Sequence, residues 1–226
     1  MIEKDNQLLN SLVKKYRHEK VFVVPTYLLS NIKNGFSSID EYNKSIISQT
    51  IESNGFFMYR YEAEYNPVVQ QIIPFTIIVN NDESKVYTSF RLKGDIRFNN
   101  IYSVGFGGHI NTQDMYLDLY IKNNKNISLV DNAANRELTE EVKIYSKSFN
   151  KKIIGFVRDL SSNSPEHIGV VYAISLNKVS IKEKDKMLGQ WFSINQLINK
   201  YYSFEKWSRY IIDYLFLQHK NNKNLF

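Results

Sequence analysis

The chain has 226 residues, of which 43% are hydrophobic and 14% aromatic, with nine glycines and four prolines; so much apolar surface must be buried, which excludes a disordered or fibrous protein. It has no cysteine, and this excludes disulfide scaffolds, thiolate zinc sites, iron–sulfur clusters and cysteine nucleophiles. Lys and Arg outnumber Asp and Glu by 29 to 23, but the excess sits in scattered lysines and Asn/Lys-rich turns such as KNNKN at 122–126 and the tail HKNNKN at 219–224. That pattern reads as a solvated surface, so a nucleic-acid partner is not expected. The start MIEKDNQLLN holds no apolar signal core, and no window supplies the roughly eighteen apolar residues of a membrane span. The expected address is the cytoplasm, with no membrane partner.

Residues 4–18 carry Leu8, Leu9, Leu12, Val13 and Tyr16 at helical spacing, and Lys20 to Val24 reads as a short buried strand stopped by Pro25. Ser38 and Glu41 have the spacing of a capping box. They predict a helix that buries Ile39, Tyr42, Ile46 and Ile47 and ends near Asn54-Gly55. Residues 1–55 are therefore expected to form a helical N-terminal extension, and 56–226 the main domain. Strands are predicted at 56–65, 72–79, 86–92, 101–110 and 115–121, a helix at 129–144, strands at 152–160 and 167–176, and closing helices at 191–201 and 204–217. A run of strands with one isolated helix between them suggests a layered α/β domain.

The segment RELTEEVKI, Arg136 to Ile144, carries the chemistry. On a helix Glu137, Glu140 and Glu141 fall at i, i+3 and i+4, so three carboxylates share one face, while Ala134, Leu138 and Val142 turn an adjoining face to a core. A hard divalent cation held by carboxylate oxygens would offset the repulsion; a solvated acidic face paired with lysines would look the same. Upstream, Gly105, Gly107 and Gly108 end a strand in SVGFGGHI. Glycines there let backbone groups approach a metal or phosphate, or simply make a tight turn.

Together these segments resemble the Nudix hydrolase box, G-x5-E-x7-R-E-U-x-E-E-x-G-U, with U apolar. Arg136, Glu137, Leu138, Glu140, Glu141 and Ile144 match directly, and Gly108 takes the opening glycine. Asp114 stands six residues later, where the family has glutamate, but 22 positions separate it from Arg136, implying an insertion of about fourteen residues. Counting back from Arg136 instead puts Ser128 at the glutamate position, and Lys143 replaces the later glycine. The stretches QQIIPFTIIV, SVGFGGHIN-x-x-D, RELTEEV and EHIGVVYAI look like a small Nudix subgroup of predicted phosphoesterases that has a long spacer inside the box, and WFSINQL resembles a segment common near the end of Nudix domains. The resemblance covers roughly residues 56–200.

The resemblance implies an α/β/α sandwich with a mixed curved sheet, and a Mg²⁺- or Mn²⁺-dependent hydrolase that cuts a diphosphate in a nucleotide or related small metabolite. By the same resemblance Glu137, Glu140 and Glu141 bind the metal, Gly108 lends it a backbone carbonyl, Arg136 braces the glutamates, and Glu137 is a candidate base. Glu166 could supply a late ligand or base; His109, His167 and Arg91 are candidates for substrate contact, each with packing or surface pairing as the alternative. The missing box glutamate and Lys143 also fit a second reading, a Nudix-fold ligand sensor or nucleic-acid-binding regulator with weak turnover. The expected partner is a phosphorylated small molecule, and a homodimer is compatible with the sequence.

Overall fold

The computed structural model describes residues 2–38, 40–93, 100–115, 128–146, 148–161 and 166–221. Its elements in chain order are α1 (Ile2–Tyr16), β1 (Lys20–Pro25), β2 (Gly35–Ser38), α2 (Glu41–Asn54), β3 (Phe56–Tyr59), α3 (Arg60–Ala63), β4 (Val69–Asn80), β5 (Lys85–Arg91), β6 (Tyr102–Ser103), β7 (Gly105–Gly107), α4 (Leu129–Glu141), β8 (Val142–Ile144), β9 (Lys151–Arg158), β10 (His167–Ser175), β11 (Val179–Ile181), β12 (Met187–Ser193), α5 (Ile194–Asn199) and α6 (Lys206–Lys220).

The main sheet runs β12-β5-β4-β10-β9-β2, with β1, β3, β6 and β7 added along its edges. The pair β4–β10 is parallel and the other ladders are antiparallel, so the sheet is mixed. Every residue of β4 is buried, the signature of a strand covered on both faces. Ile72 packs with Val130, Ala133 and Ala134 of α4, whereas Phe75, Ile77 and Val79 pack with Ile211, Ile212 and Leu215 of α6. Helices thus cover both faces, and the architecture is an α/β/α sandwich with a mixed sheet, with α1 at its N-terminal end. No helix among the described residues is long and apolar enough to cross a membrane.

One edge of β4 carries three ladders in succession: β1 along Val69–Gln71, β7 along Phe75–Ile77 and β5 along Ile78–Asn80, and the first two are separated by a gap. Pro74, which has no N–H to give, falls in the gap between them. Gly107 passes so close to it that a Cβ would lie 2.0 Å from the Pro74 carbonyl oxygen. A side chain at 107 would therefore push β7 off the sheet, and with it the loop that leads to Gly108.

Several local expectations are corrected. Helix α2 is capped by Asp40, whose Oδ1 accepts from the Asn43 N–H at 2.8 Å, and not by Ser38. Of its predicted core face, Ile47 is buried with Ile51, while Ile46 is exposed; Ile39 and the side chains of Tyr42, Leu8 and Leu9 lie outside the described residues. The strand predicted over 56–65 stops at Tyr59 and turns into α3, because Arg60 is claimed by Glu64 one turn on (3.0 Å), by Glu19 (2.7 Å) and by the Tyr16 ring. The helix predicted over 129–144 ends at Glu141; the β-branched Val142 and Ile144 pair instead with Ile181 and Val179. Residues 191–193 finish β12, and the closing helix starts only at the Ser193–Gln196 capping box. The strand predicted at 115–121 lies outside the described residues beyond Met115, which closes a one-turn 3-10 helix begun at Thr112.

The first 55 residues hold the two expected helices and also two strands. β1 extends the β4 edge and β2 pairs with β9. Phe22, Val24, Leu29, Ile32, Ile47 and Ile51 share one core cluster with Val130 and Ala133 of α4.

Candidate active site

Helix α4 opens at Ser128, whose Oγ accepts from the Asp131 N–H at 3.2 Å. Ser128 is thus a helix cap and not a stand-in for the box glutamate. Val130, Ala133, Ala134 and Leu138 bury one face of the helix, and the two alanines let it lie close against the sheet. Further along the helix Glu137 and Glu141, at 15% side-chain exposure, continue beside this stripe toward the sheet, and Glu140, more than half exposed, flanks them on the solvent side.

Arg136 organises this face. Its Nε and Nη2 donate to the two oxygens of Asp114 at 2.7 and 3.0 Å, a bidentate pair. Nη1 donates to Glu137 at 2.7 Å and to Glu140 at 3.4 Å, and Nη2 also donates to the His109 carbonyl at 3.0 Å. Asp114 is fully buried. Its Oδ2 accepts from the Asn111 N–H, and its carbonyl accepts from the Asn132 side chain. Sequence reasoning gives Asp114 no role in the site, although its place six residues after Gly108, where the box has a glutamate, is the signal that finds it. Asp114 and Arg136, 22 positions apart, meet directly, so the two halves of the split box come together in space.

The glycine strand completes the arrangement. A Cβ on Gly108 would lie 2.5–2.6 Å from the carboxylate atoms of Glu137. Only glycine leaves that carboxylate seated against the backbone. Gly108→Ala should accordingly displace Glu137, the far end of a flexible side chain, and cost less than about 1 kcal/mol of stability. It should weaken Mg²⁺ or Mn²⁺ binding by about tenfold or more, roughly 1.4 kcal/mol. Calorimetric titration of the two proteins checks this, and unchanged affinity would dissociate Gly108 from the metal. Gly107→Ala meets backbone and should cost about 1–3 kcal/mol in stability.

Electrostatics agree with a cation-binding face. Burial raises the Glu137 carboxyl above its ordinary range; Arg136 pulls it back down, and Glu140 and Asp114 add to the rise. Burial pushes Glu141 up to about 7, opposed by Arg91 and reinforced by Glu137, Glu183 and Glu140. Burial works against the Arg136 guanidinium, but hydrogen bonds to Asp114 and Glu137 outweigh it and raise its pKa. Two half-buried carboxyls that resist ionisation, beside a third and a backbone cradle, form a donor set suited to a hard divalent cation.

The other sequence candidates fall into two places. Arg91, at the end of β5, has Nη2 3.8 Å from Glu141, which sets it at the margin of the acidic face. His109 and His167 face each other, Nε2 to Nε2 at 3.3 Å. Glu166 is buried, accepts from the Tyr65 N–H at 3.2 Å and stands 3.8 Å from His167 Nδ1. Lys143 lies in β8 opposite Ser180; in place of a turn glycine, this position continues into a strand.

Protein YmaB of Bacillus subtilis (strain 168) is 30% identical to this chain over 188 residues, spanning 80% of this chain and 87% of YmaB. Tm1382, a candidate Nudix hydrolase of known crystal structure, superposes with a TM-score of 0.69 at 22% identity, over 87% of this chain and 98% of its own. DR0079 from Deinococcus radiodurans covers 70% of this chain and 90% of its own at 11% identity, with a TM-score of 0.48. No family model matches the chain. With the fold of Tm1382, and a glycine strand set against an Arg-Glu-x-x-Glu-Glu helix, the chain belongs to the family of Protein YmaB.

Proposed function

We propose that this protein is a divalent-metal-dependent hydrolase that cuts a diphosphate linkage in a nucleotide or related small metabolite. The observation that carries the proposal is the seating of the Glu137 carboxylate against Gly108, where a Cβ would come within 2.6 Å of it. Glu137, Glu140 and Glu141 with the Gly108 carbonyl would hold Mg²⁺ or Mn²⁺. Such a cation, when bound, neutralises diphosphate charge and polarises phosphorus.

The chain's own groups account for the rest. Glu137 has its proton affinity raised by burial and a nearby carboxylate, which suits a group that accepts a proton from the attacking water. Arg136 is a positioning residue: locked to Asp114, it orients Glu137 and Glu140 and ties the His109 carbonyl to α4. Arg91 is placed to meet a phosphate oxygen beside Glu141, with a planar guanidinium suited to bidentate contact. His109, His167 and Glu166 converge on one another instead. Residues 56–226 would form the hydrolase domain and 1–55 its N-terminal extension, working in the cytoplasm on a phosphorylated small molecule.

The test is a screen of nucleoside diphosphate-linked compounds with Mg²⁺ or Mn²⁺, detecting phosphate and pyrophosphate release. Turnover that requires the cation and yields a phosphomonoester product is expected. Tight binding of metal and compound with no turnover would replace this reading with that of a ligand sensor.

A further inference from the structure

The sheet face opposite α4 carries a second cluster of metal-ligating side chains. Phe106 and Ile110 pack among the same residues as α4, and Gly108 abuts Glu137. His109, in the loop after β7, turns its ring away from them toward His167. In β10, Ile168 and Val170 join the α4 cluster, so His167 lies on the far side. Glu64 follows Ala63, which packs with Val21, Val23 and Val69 on that same side. One ligand atom from each of Glu64, His109 and His167 lies within 4.8 Å of the other two.

Three further features fit a metal. The facing Nε2 atoms are 3.3 Å apart. Zn–N bonds of about 2.0–2.1 Å at the tetrahedral angle set neighbouring nitrogens about 3.3 Å apart. The opposite ring nitrogen of His167, Nδ1, stands 3.8 Å from the buried Glu166 carboxylate, and Arg60 Nε donates to Glu64 Oε1 at 3.0 Å; carboxylates behind a metal-bound imidazole and donors behind a metal-bound carboxylate orient the ligands. Gln71, fully buried and paired with His167 in the parallel register, has no hydrogen bond to either end of its amide among the described residues. A water in the fourth position of the ion would supply one.

We propose that Glu64, His109 and His167 form a second metal site, specific for a Zn²⁺-class ion, on the sheet face opposite the glutamate helix. Two imidazoles and one carboxylate select a borderline transition metal over Mg²⁺. The ion joins three segments far apart in sequence: the end of α3, the loop after β7 and the start of β10. Because the His109 carbonyl accepts from Arg136, an ion on its ring also steadies the loop that carries Gly108.

Calorimetric titration with Zn²⁺ in excess Mg²⁺, which occupies the carboxylate face, tests the site directly, with Co²⁺ as a spectroscopic probe. The expected result is one Zn²⁺ per chain and a tetrahedral Co²⁺ absorption spectrum. Both should survive in Glu140→Gln and Glu141→Gln, and binding should be about a hundredfold or more weaker in His109→Gln and His167→Gln. Circular dichroism of the metal-free variants establishes folding; should His167→Gln not fold, His109→Gln and Glu64→Gln give the result. Absence of Zn²⁺ binding by the unaltered chain, binding undiminished by the histidine substitutions, or binding abolished by the helix substitutions would each overturn the proposal. Loss of the diphosphatase reading leaves this outcome untouched, since no turnover is measured.

Discussion

Replacing Glu141 by glutamine should lower diphosphate hydrolysis by about two orders of magnitude or more, a loss of roughly 2.7 kcal/mol in transition-state stabilisation, while making the metal-free protein more stable at pH 8. Glutamine keeps the size and helix propensity of the side chain and removes the charge that a cation needs. The stability gain follows from burial, which holds the Glu141 carboxyl at about 7 against an ordinary 4.5. The folded-state pKa lies above the unfolded one, so the folded chain binds the extra proton. The stabilising contribution is therefore complete below about 4.5 and is lost as pH rises through about 7. Full ionisation forfeits on the order of 3 kcal/mol. Denaturant titrations from pH 5 to 8 in EDTA should show stability falling through pH 7 in the unaltered chain, a slope reduced in Glu141→Gln, and recovery on adding Mg²⁺ only where Glu141 is present. Glu140→Gln should lose activity similarly. Its stability should change by less than about 1 kcal/mol, because Glu140 is exposed and its 3.4 Å pair with Arg136 is screened. Glu137→Gln separates roles: lost turnover with retained metal affinity marks a base, and loss of both marks a ligand. Wild-type rates in both Glu140→Gln and Glu141→Gln would end the catalytic assignment.

Arg136→Ala should destabilise the fold by about 3–5 kcal/mol, the usual consequence of stranding a buried charge. Asp114 is fully buried, and this one guanidinium is the cation that pairs with both of its oxygens. Removing the guanidinium also frees Glu137, Glu140 and the His109 carbonyl from their common anchor. Arg136→Lys keeps the charge but cannot make the planar two-bond contact, so most of the loss should remain. The discriminating measurement is a double-mutant cycle with Asp114→Asn, read from urea midpoints. A coupling energy above about 1 kcal/mol is expected, because the partners form one hydrogen-bonded network. A coupling near zero would mean that the split box is held shut by something other than this pair.

What could be read from the sequence has a physical pattern. The long buried strands β4 and β10 and the helix α4 were visible because burial on two faces, or on one stripe, imposes an apolar rhythm that survives any context. That Glu137, Glu140 and Glu141 crowd together on one helix was equally visible, since helical spacing alone sets it. Residues 60–63 and 191–193 were misread where periodicity competed with other forces: an arginine claimed by two glutamates and a ring, and a Trp-Phe pair belonging to a strand until Ser193 caps the helix. β2, GFSS, and β11, VSI, carry too little apolar alternation to announce themselves, and exist because β9 and β8 offer edges to pair with.

The sequence by itself determined the layered α/β class and the grouping of three carboxylates along one helix, because these rest on periodicity and on residue type at short spacing. Tertiary structure alone decided that Asp114 meets Arg136 across 22 positions, that Gly108 cradles Glu137, that β1 and β2 extend the sheet, and that His109 faces His167 from 58 residues away. Each is a contact between segments remote along the chain. Local propensity carries no record of such contacts, and they form only when burial of the shared core brings the segments together.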